Sequence, residues 1–116
     1  MPVKHIVMMK FKDGTSADAI KQVCAEMLGL KEACVHPATA APYIRASAGG
    51  RDNSIEGLQN GLTHVFVVDF ASVADRDYYV KQDAAHAAFV ARHLTAPGAA
   101  VERAMVLDFE PGVFDA

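Results

Sequence analysis

The chain has no tryptophan, two cysteines and five prolines among its 116 residues, and its 11 Lys and Arg are outnumbered by 14 Asp and Glu. Each scarcity excludes something. Cys24 and Cys34 form no CxxC pair, so the sequence carries neither a disulfide framework nor a zinc knuckle. Both fall in one predicted helical stretch, where about 15 Å of rise separates them, too far to bridge. A reducing, cytoplasmic setting is the expectation. With a net charge of −3 and no basic stripe, nucleic acid is not an expected partner. No apolar run approaches the length of a membrane span, so neither is a membrane. The opening VKHIVMMKFK carries Lys4, Lys10 and Lys12 and no small-residue cleavage site, unlike a secretory leader. Gly49-Gly50 is not followed by a phosphate-loop pattern, and HExxH and a nucleophile elbow are absent. No cofactor and no metal site is expected.

What remains is apolar and patterned. Hydrophobic residues make up 52% and charged residues 22%, the balance of one globular domain over residues 1–116. Val3 to Lys12 alternates as a strand, with Val3, His5, Val7, Met9 and Phe11 on one face. Asp13-Gly14 turns the chain. Ser16 caps a helix whose apolar positions are Ile20, Val23, Cys24, Met27, Leu28 and Leu30, with His36-Pro37 as its stop. Tyr43 to Ala48 reads as a second strand, and the Gly-rich Gly49 to Gly61 as a long loop at the pocket entrance. Leu62 to Phe70 is the strongest strand, with His64, Phe66, Val68 and Phe70 on one face. Ser72 caps VADRDYYVK, Asp83 caps AAHAAFVARHL, and Val101 to Phe109 closes the order.

The resulting β-α-β-β-α-β order predicts an α+β, ferredoxin-like subunit with helices on one face of an antiparallel sheet. The other face is left bare at Ile6, Met8, Val65, Val67 and Val106, a patch that marks an interaction surface. A homodimer joined sheet to sheet would cover it.

Histidine carries the chemical interest. His5 and His64 lie on the apolar faces of the first and third strands, and His86 near the start of the broken second helix. Tyr78 and Tyr79 end the segment before it. Gathered in an apolar pocket, these groups suit acid–base chemistry: imidazole as general base, phenol as holder of an enolate oxygen. A histidine on an apolar face also fits a core residue satisfied by a carbonyl, and both possibilities stand. His36 and His93 read as surface residues, Phe66 and Phe89 as core that could border the pocket, Asp69 and Asp108 as solvated strand ends.

The stretches VKHIVMMKFKDGTS, GLTHVFVVDFASVADRDYYV, DAAHAAFV and VLDFEPG resemble the stress-responsive A/B barrel (Dabb) family over nearly the whole chain. The resemblance implies a dimeric α+β barrel of ferredoxin-like subunits, most of whose members have no established activity. It resembles in pattern a plant polyketide cyclase of that family, which implies catalysis by His86 and Tyr79, with His5, His64, Tyr78, Phe66 and Phe89 lining the pocket. This chain has Ala84-Ala85 where a proline precedes the histidine, and one residue more between tyrosine and histidine. Two functions follow from the resemblance: a dimeric stress protein with a small-molecule pocket and no assigned activity, or a cofactor-free polyketide cyclase or lyase. A neighbouring family on the same architecture, the antibiotic-biosynthesis monooxygenases, adds a cofactor-free monooxygenase as a third. A small phenolic or polyketide molecule is the expected ligand.

Overall fold

The computed structural model describes residues 1–115. β1 (Val3–Phe11) is followed by α1 (Ala17–Ala33), a two-residue hairpin of β2 (Val35–His36) and β3 (Ala41–Pro42), β4 (Ile44–Arg51) and β5 (His64–Phe70). Then come α2 (Val73–Lys81), α3 (Ala84–Val90), a π-helical turn over Ala91–Thr95, and β6 (Val101–Phe109). The main sheet has the order β4-β5-β1-β6 with every pair antiparallel. Helices cover one face, which is the α+β ferredoxin-like arrangement that the element order predicts.

The caps fall where the sequence puts them. Ser16 Oγ accepts from Ala19 N, Ser72 Oγ from Asp75 N, and Asp83 Oδ1 from Ala85 N and His86 N. Each such cap is worth about 1 kcal/mol, because it satisfies helix-start amides that have no internal partner. The long helical segment breaks at Gln82, whose backbone leaves helical geometry, and Asp83 starts α3 afresh.

Alternation in β1 and β5 is complete: the odd positions of β1 and the even positions of β5 are buried. They form the core with Val23, Met27 and Leu30 of α1, Tyr79 of α2 and Phe89 of α3. Among the described residues no helix is long and apolar enough to cross a membrane.

Four expectations are corrected. Val106 is the register partner of Val7, so it points to the helix side; the bare face belongs instead to Ile6, Met8, Val65 and Val67 with Met105 and Leu107. A count of strand period without the partner strand's register puts β6 off by one residue, which exchanges its faces. α1 ends at Ala33, four residues before Pro37, because Cys34 leaves helical geometry to enter the hairpin. β4 runs on to Arg51, so only residues 52–63 form the loop. His93 is buried, its Nε2 3.0 Å from Glu26 Oε1.

Gly49 explains why a glycine pair can lie within β4. A Cβ there would sit 2.8 Å from Phe66 Cε1 and 2.9 Å from the Val65 carbonyl oxygen. Phe66 is 1% exposed and cannot move out of the way without disturbing the core. Gly49→Ala is therefore expected to destabilise the fold by about 1–3 kcal/mol through overpacking. The measurement is the urea midpoint, which should fall at constant slope, while Gly50→Ala, with open space at its Cβ, changes it little.

Candidate active site

Between the helix-covered face of the sheet and α2 and α3 lies a cavity of about 460 Å³. Its apolar wall includes Val7, Met9, Met27, Phe89, Leu94 and Val106; its polar groups are His5, Arg76, Asp77, Lys81, His86 and Asp108. A few polar groups set in an apolar wall is the usual make-up of a small-molecule site.

His5 comes from the central strand, 4% exposed, and its register partner is Asp108 on β6. Directly paired residues on one face of an antiparallel ladder stand close enough for side chains to meet. His5 Nδ1 lies 2.7 Å from Asp108 Oδ1, and the other carboxylate oxygen accepts from Arg76 Nη1 at 2.8 Å. Arg76 Nε in turn donates to Asp77 Oδ1 at 2.8 Å. An ionised carboxylate only accepts, so Nδ1 of a neutral His5 carries the proton and Nε2 keeps its lone pair.

His86 arrives from the first turn of α3. Its ring stacks on Tyr79, with centroids 4.0 Å apart at 29°, and Tyr79 also meets His5 edge-on at 5.7 Å. Tyr79 is thus a wedge behind both imidazoles. Burial holds the His86 pKa below the ordinary imidazole value; the nearby His5 adds to this, while the Tyr79 backbone and Asp83 oppose it. His86 therefore stands neutral at pH near 7.

The other expected site residues sort plainly. Tyr79 is fully buried, its hydroxyl has no hydrogen-bond partner among the described residues and does not line the cavity, and burial raises its pKa. Tyr78 turns the other way and packs on His36 and Tyr43 at 4.9 and 5.7 Å. Phe89 lines the cavity, whereas Phe66 is core beneath β4. His64 is opposite Met9, four residues along the ladder from His5. There it meets Thr63 Oγ1 at 2.8 Å and the edge of Phe11, and borders a separate groove with Asp52, Ser54 and Glu56. His5, His86 and Tyr79 are brought together; His64, Tyr78 and Phe66 are not.

Sequence reasoning overlooks Arg76 and Asp108. Asp108 is half-buried and ion-paired, not a solvated strand end, and Asp69 likewise pairs with Lys4. Two signals point to the pair: Arg76 lies one helical turn before Tyr79, and the last strand of this topology runs beside the first. Cys34 is no nucleophile, since burial, with Asp83 adding to it, pushes its thiol up to about 12. Among the described residues no group of three or more His, Cys, Asp or Glu is gathered as a metal site would need.

Comparison with known proteins fits this geometry. The model of the stress-responsive A/B barrel domain matches residues 3–111. The chain belongs to that family. HS1, a stress-response A/B barrel domain-containing protein of Arabidopsis thaliana, is 30% identical over 110 residues, covering 95% of this chain and 90% of its own. The hydroxynitrile lyase of Passiflora edulis superposes with a TM-score of 0.76 at 25% identity, covering 98% of this chain and 97% of the lyase. A dimeric ferredoxin-like protein of Thermobifida fusca shares the fold, with a TM-score of 0.66 at 20% identity over 94% of this chain and 90% of its own.

The lowered pKa values of the buried His64 and the partly buried His86 predict an acid-sensitive fold for this stress-responsive A/B barrel chain. As pH falls below the ordinary imidazole value of 6.5, the unfolded chain binds protons that the folded chain resists. Their contribution to stability is complete above that value and declines as pH drops toward the folded-state values. Urea midpoints at about pH 7 and about pH 5 should differ, and His86→Phe should flatten that slope while leaving the His64 share.

Proposed function

We propose that this single-domain protein is a cofactor-free acid–base lyase that makes or breaks a carbon–carbon bond beside a carbonyl group. The observation that carries the reading is the 2.7 Å contact between His5 Nδ1 and Asp108 in the wall of an apolar cavity. It leaves His5 Nε2 as a base, and the likeness to a hydroxynitrile lyase supports the same class of reaction.

The step is an addition run in either direction. In cleavage, His5 Nε2 removes the hydroxyl proton of a β-hydroxy carbonyl compound or a cyanohydrin. The C–C bond breaks, a C=O bond forms, and the electron pair leaves on the enolate or cyanide. The proton then returns to that leaving carbon from an imidazolium. Run backwards within one molecule, the same step is an aldol-type ring closure of a polyketide-like or phenolic precursor. His86 faces the reaction space as the second acid–base group, and Tyr79 acts through it as a positioning residue. Arg76 is held by two carboxylates, so its guanidinium is already paired within the cavity wall.

The test uses an aromatic cyanohydrin, a β-hydroxy ketone and a linear triketide, with aldehyde release or ring closure followed by absorbance. Wild type should turn over at least one of them. Asp108→Asn presents an amide donor to Nδ1, so the proton moves to Nε2 and the base is lost. The expected cost is about 10²–10⁴-fold in kcat with little change in melting temperature. Absence of turnover with all three, or equal rates in the variant, would overturn the assignment and favour a non-catalytic stress protein.

We also propose a homodimer through the open sheet face, where Met105 is 45% and Leu107 65% exposed. Relatives described as dimeric support it. Leu107→Asp places a charge in that face without touching the helix side. Sedimentation should then give one chain for the variant and two for wild type.

A further inference from the structure

A second hydrogen-bonded chain reaches the cavity from behind. Tyr43 sits between β3 and β4, and its hydroxyl donates to Asp83 Oδ2 at 2.6 Å. Asp83 is only 4% exposed and has no cationic partner among the described ion pairs. Its Oδ1 accepts from Ala85 N at 2.9 Å and from His86 N at 3.3 Å. One buried carboxylate therefore ties the Tyr43 phenol to the backbone of His86 itself. Tyr43 is in turn gripped by His36 edge-on at 5.5 Å and by Tyr78 at 5.7 Å.

We propose that Tyr43 is a positioning residue for His86: by clamping Asp83 it sets where α3 begins and so how the His86 ring lies on Tyr79 within the cavity. A short helix has little internal means of holding its first turn, and its leading amides depend on the cap. The cap depends on one rotamer of a buried carboxylate, and a carboxylate short of donors in an apolar setting turns toward water. Tyr43 supplies the donor that holds it. Asp83, having two oxygens with separate tasks, can serve both ends at once.

The inference rests on His86 as an acid–base group, but its test needs no substrate. His86 ring protons are followed by NMR in the full-length chain across a pH titration. The stack on Tyr79 shifts those protons upfield. The groups that face or flank His86 are His5, Asp108, Arg76, Asp77, Lys81, Tyr79, Asp83 and Cys34, and all are retained in Tyr43→Phe. In that variant the upfield shift should shrink and the His86 titration should move toward ordinary imidazole, as water reaches the loosened turn.

Asp83→Ala should do the same, and the double variant should add nothing to it, because both changes break one link. Asp83→Asn keeps an acceptor for the helix start and an amide for the phenol, so it should restore the upfield shift, and it reports on the link even if Tyr43→Phe folds poorly. A folded Tyr43→Phe with an unmoved His86 spectrum, or additive shifts in the double variant, would mean that Tyr43 only fills space. If the spectra move as expected while the lyase assay stays silent, the positioning link stands and the lyase assignment fails.

Discussion

The register between β1 and β6 is the constraint on which the site depends. It places Val7 beside Val106, His5 beside Asp108 and Ile6 beside Leu107, with one irregularity at Lys10 and Phe11. Side chains alternate across a sheet, so a slip of one residue would turn Asp108 to the open face and Leu107 into the cavity. The carboxylate that orients His5 would then be lost. β1 itself is held in place by pairing on its other side with β5.

Two imidazoles in one cavity are kept chemically distinct by what surrounds them. His5 is tied to a carboxylate that is itself tied to Arg76. His86 has an aromatic ring on one side and a cavity on the other, and burial keeps it neutral. Environments that separate the roles of like groups are the usual means by which one small site handles protons in both directions. Under the proposed lyase function, the histidine hydrogen-bonded to Asp108 is the base and the desolvated one its counterpart. Tyr79 serves both by contact with both rings.

Capping carries more of the architecture than the short helices suggest. Ser72 and Asp83 start α2 and α3, and the break at Gln82 between them lets α3 turn so that His86 and Phe89 both line the cavity. Asp83 is at once a cap, a buried carboxylate and the partner of Tyr43. On the far side of the sheet, an apolar face of Ile6, Met8, Met105 and Leu107 is what the proposed dimer would cover.

The sequence alone determined what local physics can encode. Period-two alternation in β1 and β5 fixed their faces, Ser16, Ser72 and Asp83 marked the helix starts, and the element order implied the ferredoxin-like layers. His5, His86 and Tyr79 were legible only within a wider group that also held His64 and Tyr78. The rest lay in relations between distant segments. Which face of β6 is inward, that Asp108 meets His5, that Arg76 clamps it, and that His64 lies four residues down the ladder all depend on strand register. The choice between Tyr78 and Tyr79 is made instead by the packing of α2, which puts one ring into the core and the other against His36. Those matters were decided only in the tertiary structure, because a hydrogen bond between residues about a hundred positions apart leaves no periodic trace in either segment.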